Sequence, residues 1–404
     1  MKTWLTIIFF LCFVFSLQAQ QIDPTVAAII NGTNSDSLTY FVSELSGEIP
    51  VTVNDIQYTI ASRFDTASGN AIAALYISQK LQSYGLIPEF QDFSPRGRNV
   101  YALQTGVDHP GQMYIICAHY DDMPRGPVAP GADDNASGTA TVIEAARILT
   151  KYQTSYSILY ALWDREEQGL LGSAAYSNLA SALGDSILGV INLDMIAWDS
   201  NDDMIMDIHT SSTGNSLELS DTVRFVNTTY NIGLTPVVKN PGSTASDHAS
   251  FWANNYGAIL LIESFADFNL YYHKTSDLLS AFNNTFFYKM SKLALGTIAV
   301  LTGVHDATDV AIAEGTVSNY SLSQNYPNPF NPVTTIDYQL LSLTPVALEV
   351  FDMLGCRVAI LIDDIQPAGK HTATWNASDY SSGMYFYRLR AGEFSQMKIM
   401  ALIK

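Results

Sequence analysis

Apolar runs of strand length alternate with helical patterns between residues 99 and 263. Several of these runs are apolar throughout, which is typical of strands that are buried on both faces of a parallel sheet. Apolar residues also recur at helical spacing over residues 71–83 and 139–149. The predicted strands are residues 100–104, 113–118, 157–163, 187–193 and 258–262. This alternation predicts an α/β domain in which helices sandwich a mainly parallel, twisted sheet.

A second domain is indicated by the change in composition after His305. Residues 306–319 are small and polar, which favours a linker. Prolines between positions 327 and 332 exclude a helix from the next stretch, and short alternating strands with Gly, Asp and Ser turns follow. We therefore expect an α/β domain over residues 48–305 and a small all-β, immunoglobulin-like sandwich over residues 320–404.

The N-terminus has the pattern of a secretory signal peptide over residues 1–20. Lys2 precedes an apolar run that ends at Phe15, and small or polar residues surround Ala19. The run is shorter than the roughly 20 apolar residues of a membrane-spanning helix. We therefore expect an exported protein, secreted or held at the cell surface, whose residues 21–47 form a propeptide or an N-terminal extension.

Charge and cysteine content narrow the classes of function. Lys and Arg total 20 against 39 for Asp and Glu, which gives a net charge of −19. An acidic surface disfavours anionic partners, so we expect no binding to nucleic acid. Of the three cysteines, Cys12 leaves with the signal peptide, while Cys117 and Cys356 lie in different predicted domains. No disulfide framework is therefore expected.

Acidic and histidine residues follow successive predicted strands. Because the carboxyl ends of parallel strands lie on one side of a sheet, we expect these residues to meet at one rim. Like charges gathered in a low-dielectric cleft repel one another unless cations neutralise them. Imidazole and carboxylate groups without thiolate suit a catalytic zinc site, and a shared carboxylate suits a pair of ions. The residues concerned are His119, Asp121, Asp134, Glu166, Glu167, Asp194 and His273.

Each of these residues also has an ordinary structural explanation when it is taken alone. A single histidine or acid is more often a surface group, and a pair of glutamates is common on a helix face. Asp133 or Asp134 could simply cap the helix that begins near Ser137. The coincidence of all of them after successive strands favours a site that is assembled from loops.

Six segments carry a resemblance to a known family. They are AHYDD, PGADDNASG, LWDREEQGLLGS, INLDMI, SDHASF and YHKTSD, which occur in this order over roughly residues 119–277. Together they resemble the bacterial di-zinc aminopeptidase family of co-catalytic zinc exopeptidases. The resemblance implies the zinc exopeptidase fold for residues 48–305 and two zinc ions per chain.

The resemblance also implies which residues hold the metal. One zinc ion is expected on His119 and Asp194, and the other on Glu167 and His273. Asp134 would bridge the two ions. His248, in SDHASF, is the alternative to His273 as a ligand.

Further roles follow from the same resemblance. Glu166 would be the general base and acid that takes a proton from the zinc-activated water and gives it to the leaving amine. Tyr272 would donate a hydrogen bond to the oxyanion, or else be a core aromatic residue. Asp121 would fix the ring of His119, and a cis peptide bond would join Asp134 to Asn135. Independently of the resemblance, their positions in the sequence make Trp198, Phe265 and Tyr271 candidates for lining an apolar substrate pocket.

The C-terminal segment resembles the sorting domain of the Bacteroidetes-type (type IX) secretion system. The resemblance lies in YPNPFNPVTT, VALEVFDMLG, AGKHTATW and SGMYFYRL, and in the final residue Lys404. It implies that the outer-membrane secretion machinery is a partner. The alternative is an immunoglobulin-like module that stays attached and binds substrate or cell wall.

These features predict a secreted zinc aminopeptidase that acts on peptides or proteins. Carboxypeptidase action and glutaminyl cyclisation, an acyl transfer at a related zinc site, remain alternatives within the fold. A non-catalytic adhesin on the same scaffold is an alternative from another class. The chain has neither the G-x-S-x-G motif of serine hydrolases nor the H-E-x-x-H motif of common metalloproteases.

Overall fold

A computed structural model describes residues 22–305, 320–340, 344–353, 356–366, 369–392 and 394–404. The predicted signal peptide and the predicted linker over residues 306–319 lie outside the described residues. Within the described part of the chain, no helix combines the length and apolar character needed to cross a membrane.

The first domain contains eight α-helices among its described residues. Their bounds are α1 (Pro24–Gly32), α2 (Ser35–Leu45), α3 (Ser68–Ser83), α4 (Gly138–Leu149), α5 (Leu171–Leu183), α6 (Ser216–Thr229), α7 (His248–Ala253) and α8 (Asn284–Thr302). An irregular turn, Ala132–Ser137, leads directly into α4, and a single 3₁₀ turn, Leu279–Ala281, precedes α8.

The strands of the first domain include the five that the sequence predicts. Their bounds are β1 (Val51–Val53), β2 (Ile56–Tyr58), β3 (Pro88–Asp92), β4 (Arg98–Gln104), β5 (His109–His119), β6 (Gln153–Thr154), β7 (Tyr156–Trp163), β8 (Ser186–Leu193), β9 (Ile205–His209), β10 (Thr235–Lys239), β11 (Ala258–Glu263) and β12 (Val304–His305).

Eight of these strands form one mixed sheet in the order β10-β9-β11-β8-β5-β7-β4-β3. The central strands β11, β8, β5 and β7 are parallel, whereas β4 runs antiparallel to β7 and β9 runs antiparallel to β11. The predicted α/β fold is confirmed, with a parallel centre and antiparallel pairing towards both edges. The sequence did not predict β3, β9 or β10, and several residues of β3 and β10 are exposed, so they lack the continuous apolar pattern of the central strands.

Both faces of the central sheet are covered, which explains why its strands are apolar throughout. On β5, Ile116 and Ala118 belong to the larger hydrophobic core, whereas Ile115 and Cys117 pack in a second core with residues of α5 and α7. This alternation is the two-residue period of a strand between two helical layers. Cys117 is fully buried, as a thiol in such a strand should be.

The second domain contains two antiparallel sheets. Their strands are β13 (Ser321–Leu322), β14 (Val333–Leu340), β15 (Thr344–Phe351), β16 (Arg357–Gln366), β17 (Gly369–Asn376), β18 (Gly383–Ala391) and β19 (Phe394–Leu402). The sheet orders are β13-β14-β17 and β16-β15-β18-β19. Side chains from both sheets, including Tyr338, Leu348, Trp375 and Leu389, share one hydrophobic core. The predicted β-sandwich is therefore confirmed.

Helices α1 and α2 lie within the segment that the sequence predicts to be a propeptide or an extension. Asp23 caps α1 by accepting hydrogen bonds from its first turn, and Asn34 caps α2 in the same way. Their apolar side chains, among them Ile29 and Leu38, are fully buried in the larger core of the first domain. Residues 24–45 thus complete that core, although the processing boundary stays a prediction.

The burial of Leu38 predicts a large loss of stability when its side chain is truncated. We expect Leu38→Ala to lower the free energy of unfolding by about 2–5 kcal/mol, because it leaves a cavity in a packed core. Chemical unfolding of the full chain measures this change. Leu183→Ala is the matched control, since Leu183 is 68% exposed at the end of α5. An effect of Leu38→Ala no larger than that of the control would show that α2 contributes little to the core.

Candidate metal centre

The loops at the carboxyl ends of the parallel strands deliver the predicted donor residues. His119 is the last residue of β5, and Asp194 directly follows β8. Glu167 lies in the loop after β7, and His273 in the long loop after β11. Asp134 comes from the irregular turn before α4. Parallel pairing of the central strands therefore brings these residues to one rim.

Two groups of donor atoms form there, and Asp134 belongs to both. The first group is His119, Asp134 and Asp194, and the second is Asp134, Glu167 and His273. Within each group the donor atoms lie within 4.8 Å of one another. This is the division into two sites that the family resemblance implies.

Asp134 occupies the position between the two imidazoles. Its Oδ1 lies 3.4 Å from His119 Nε2, and its Oδ2 lies 3.3 Å from His273 Nε2. Asp194 Oδ1 lies 3.3 Å from His119 Nε2, and Glu167 Oε2 lies 2.9 Å from His273 Nε2. Each imidazole thus lies close to two carboxylates, and the carboxylate of Asp134 is close to both imidazoles.

The donor atoms fit cations better than they fit one another. Asp134 Oδ2, Glu167 Oε1 and His273 Nε2 are buried atoms that make no hydrogen bond within the described residues. Buried polar atoms are normally paired, so atoms left unpaired in a cluster of metal-binding side chains are suited to a cation. The set contains only imidazole and carboxylate groups, which matches zinc in catalytic sites.

Crowding also shifts the pKa values of the groups in this cluster. Burial raises the pKa of Glu167 to about 8, and the charge of Asp134 adds to this rise. Burial lowers the pKa of His273, but the nearby carboxylates of Asp134 and Glu167 outweigh burial and raise it to about 10. Both shifts favour a proton on these crowded groups, and a divalent cation would compete with protons for the same atoms.

Asp121 supports both the histidine and the glutamates. His119 Nδ1 lies 3.2 Å from the Asp121 backbone oxygen and 3.5 Å from its Oδ1. A proton on Nδ1 leaves Nε2 free for a metal, in line with the predicted role. The Asp121 carboxylate also accepts hydrogen bonds from the backbone N–H groups of Glu166 and Glu167, at 3.0 and 3.2 Å. The sequence did not predict this second role.

Glu166 lies beside the donor groups without belonging to either. Its Oε2 is 4.0 Å from His119 Nε2, and its side chain is 10% exposed. Burial raises the pKa of Glu166 well above its usual range, against the opposing effect of His119. A carboxyl group that is close to the cluster, slightly open to solvent and inclined to hold a proton is suited to proton transfer.

The adjacent Asp133 does not cap the helix, and neither does Asp134. At the first residue of α4, Gly138 N donates a hydrogen bond to Asn135 Oδ1 at 2.9 Å rather than to an aspartate. The peptide bond between Asp134 and Asn135 is cis, as the resemblance implies. The Asp133 carboxylate is buried and accepts hydrogen bonds from Ala197 N and Asn269 Nδ2, at 2.9 and 2.8 Å. The alternative that an aspartate of this pair caps α4 is therefore wrong.

Arg63 is a buried support that the sequence did not reveal. Its guanidinium donates hydrogen bonds to the backbone oxygens of Tyr120, Pro130 and Gly131, at 2.7, 2.8 and 2.8 Å. It therefore links the segment after His119 to the turn that carries Asp134. A single arginine outside any motif gives no sequence signal for such a role.

Gly131 is required at the close approach between this turn and Arg63. Its φ angle is +47°, in the left-handed region that favours glycine. A Cβ atom at this position would lie 2.4 Å from the backbone oxygen of Asp134 and 2.8 Å from Arg63 Nη2. The absence of a side chain at Gly131 thus leaves room for the Arg63 guanidinium to contact the turn.

The two candidate histidines have different environments. His248 is fully buried, with Nε2 2.8 Å from the backbone oxygen of Ser243, and burial lowers its pKa to about 3. It lies outside both donor groups, whereas His273 is in the second. Tyr272 stacks on His273 with ring centroids 3.7 Å apart and is 40% exposed, so it is not a core residue.

The three aromatic residues predicted for a substrate pocket lie on the segments that flank this centre. Trp198 packs edge-on against Tyr271, with ring centroids 5.7 Å apart. Phe265 packs against Phe268, which in turn contacts Tyr272. Phe265 and Tyr271 are 46% and 37% exposed. They form an aromatic margin beside His273, and their contact with substrate stays a prediction.

Comparisons with known proteins give family matches in both domains. Residues 99–298 match peptidase family M28, and residues 324–402 match the secretion system C-terminal sorting domain. Leucine aminopeptidase 1 of Trichophyton equinum is 31% identical over 208 residues, which are 47% of this chain and 54% of that protein. A probable zinc metalloprotease of Pyrenophora tritici-repentis is 27% identical over 194 residues, which are 47% of this chain and 39% of that protein.

The fold also resembles solved structures. The LapA aminopeptidase of Legionella pneumophila has a TM-score of 0.60 at 22% identity and covers 70% of this chain and 78% of its own. At this identity the likeness concerns the fold alone. The chain spans only about half, or less, of the length of the two sequence relatives. On these matches, residues 99–298 are similar to peptidase family M28, and residues 324–402 are similar to the C-terminal sorting domain of a secretion system.

Proposed function

We propose that this chain is a secreted, zinc-dependent exopeptidase that hydrolyses N-terminal residues from peptides. The observation that carries the proposal is the pair of donor groups that share Asp134. One zinc ion would be held by His119 and Asp194, and the other by Glu167 and His273, with Asp134 bridging them. The sequence relatives named as an aminopeptidase and a zinc metalloprotease support the same reading.

Zinc supplies the electrophilic chemistry of this proposal. When bound, the two ions polarise the scissile carbonyl and lower the pKa of the attacking water. The protein holds the ligands in place before substrate arrives, because His119 and Asp194 are fixed at the ends of neighbouring strands. Several carboxylates are buried side by side here, and their negative charge once deprotonated favours two divalent cations.

Glu166 is assigned the proton transfers. It takes a proton from the attacking water as the new carbon–oxygen bond forms at the peptide carbonyl. It then gives this proton to the leaving amine nitrogen as the carbon–nitrogen bond breaks, so that the carboxylate is restored. The raised pKa of Glu166 favours the protonated form that the second step needs.

Tyr272 is assigned the stabilisation of the oxyanion. Burial raises the pKa of the Tyr272 phenol above its usual range, and the neighbouring carboxylates raise it further. The hydroxyl therefore keeps its proton and can donate it in a hydrogen bond to the developing negative charge. Its stacking on the ring of His273 holds it beside the second donor group.

The competing functions differ in the substrate that each consumes. A full set of donors for two metals favours peptide hydrolysis over glutaminyl cyclisation. We expect the metal-loaded full chain to release the first residue of peptides with a free amine and to leave amine-blocked peptides intact. Release from the carboxyl end would instead show a carboxypeptidase, and ring closure of N-terminal glutamine a cyclase. Absence of any chelator-sensitive turnover would favour the adhesin.

The assignment of Glu166 predicts a separation of turnover from metal binding. We expect Glu166→Gln to keep its zinc content and to lower kcat by at least about 100-fold, since it removes the proton carrier and spares the ligands. Metal analysis and steady-state kinetics on the same preparation measure both quantities. Glu167→Gln is the matched comparison and should lose zinc. The reverse pattern would mean that the two glutamates exchange roles.

We further propose that residues 320–404 deliver the chain to the outer-membrane secretion machinery. The match to the sorting domain supports this, and it indicates a secreted or cell-surface protein. In a host with this system, we expect the full chain outside the cell and a chain lacking residues 320–404 retained in the periplasm. Peptidase activity of the retained form is the control for folding. Equal export of both forms would favour the attached binding module.

A further inference from the structure

Asp277 joins the loop that carries His273 to the turn that carries Asp134. It lies four residues after His273, and it is 1% exposed. Its Oδ1 and Oδ2 accept hydrogen bonds from Asp133 N at 3.1 and 3.2 Å, and its Oδ2 also accepts one from Asp134 N at 3.0 Å. Its backbone oxygen accepts a further bond from Ala132 N at 3.2 Å. One residue therefore binds three consecutive N–H groups of the turn.

The same loop is fastened to the turn at its other end. Asn269 Nδ2 donates to Asp133 Oδ2 at 2.8 Å, and Asn269 N donates to Glu263 Oε1 at 2.7 Å. The segment from Asn269 to Asp277 is thus attached to Asp133 at both ends. Asn269 binds the Asp133 side chain, and Asp277 binds the Asp133 backbone N–H. Tyr272 and His273 lie between these two attachments. Asp133, the aspartate that belongs to neither donor group, therefore anchors the loop that carries His273.

The backbone at His273 needs such support. Its φ angle is +56°, in the left-handed region that non-glycine residues seldom adopt. With this conformation the His273 ring lies beside Asp134, while the segment from Asn269 to Asp277 is fixed at both ends. In the first donor group, by contrast, His119 ends a strand and Asp194 directly follows the neighbouring one, so the sheet itself sets their separation. The second donor group depends on the loop.

We propose that Asp277 is a positioning residue that fixes His273 relative to Asp134 and so sets the zinc affinity of the second donor group. The inference rests on the proposed function, because it concerns the second of two zinc ions. It assigns Asp277 no contact with substrate or metal. Loss of its carboxylate frees the N–H groups of Asp133 and Asp134 and releases one end of the His273 loop.

The test is zinc binding by the full chain, measured as metal content and by competition titration with a chelator. We expect Asp277→Ala to retain one tightly bound zinc ion and to bind the second at least about 10-fold more weakly, as is typical when a group that supports a ligand is removed. Asp277→Asn should weaken it less, because the amide oxygen still accepts a hydrogen bond. This graded loss at one site is the result that a general loss of stability would not produce.

Asp267 provides the matched control on the same loop. Its carboxylate accepts hydrogen bonds from Ser200 N and Ser200 Oγ, at 2.7 and 2.6 Å, and from Trp198 Nε1. We expect Asp267→Ala and Asp267→Asn to bind both zinc ions like the wild type. Circular dichroism and the thermal midpoint show whether each variant is folded. If Asp277→Ala is unfolded, Asp277→Asn decides the question by its second affinity.

Three results would overturn the inference, and they are distinguishable. A wild-type chain that binds two zinc ions, with Asp277 variants that bind the second equally well, contradicts the role of Asp277 alone. A wild-type chain that binds fewer than two zinc ions contradicts the proposed function, and the inference with it. Equal weakening of both sites in Asp277→Asn also contradicts a specific role at the second group.

Discussion

The turn that carries Asp134 is the constraint on which the centre depends. Its carboxylate lies between the imidazoles of His119 and His273, and it is 4% exposed. A buried carboxylate is costly unless charges or hydrogen bonds compensate it, and here the compensation must come from opposite sides at once. The backbone of the turn therefore has to be held firmly, since a small rotation would break one of the two contacts.

Two buried side chains hold this turn. Arg63 donates to the backbone oxygens of Pro130 and Gly131, while Asp277 accepts from the backbone N–H groups of Asp133 and Asp134. Hydrogen bonds from a charged guanidinium are stronger than those between neutral groups, and the low dielectric of the interior strengthens buried hydrogen bonds further. The turn thus gains its position from interactions with its backbone, which leaves the side chain of Asp134 available for metal.

The sequence was most informative where local pattern and strand order coincide. The central strands β5, β7, β8 and β11 were predicted because continuous apolar runs identify strands that are buried on both faces. The position of His119, Asp194 and the glutamate pair after those strands then predicted one rim. Edge strands such as β3 were missed, because a half-exposed strand lacks that run. The sequence did not predict α1 and α2 as helices. Their apolar residues recur at helical spacing only weakly, and the core that they cover cannot be seen in the sequence.

The family resemblance predicted the metal ligands, while the sequence by itself determined the class of fold and the polar residues that meet at one rim. Both follow from short-range information, namely the period of apolar residues and the order of polar residues at strand ends. Only the tertiary structure decided that Asn135 rather than an aspartate accepts the hydrogen bond from Gly138 N, that Arg63 and Asp277 support the centre, and that Asp121 also binds the backbone of Glu166 and Glu167. Arg63 and Gly131 are 68 positions apart, and Asp134 and Asp277 are 143 apart. Contacts over such distances arise from the packing of the whole domain, so no local pattern in the chain encodes them.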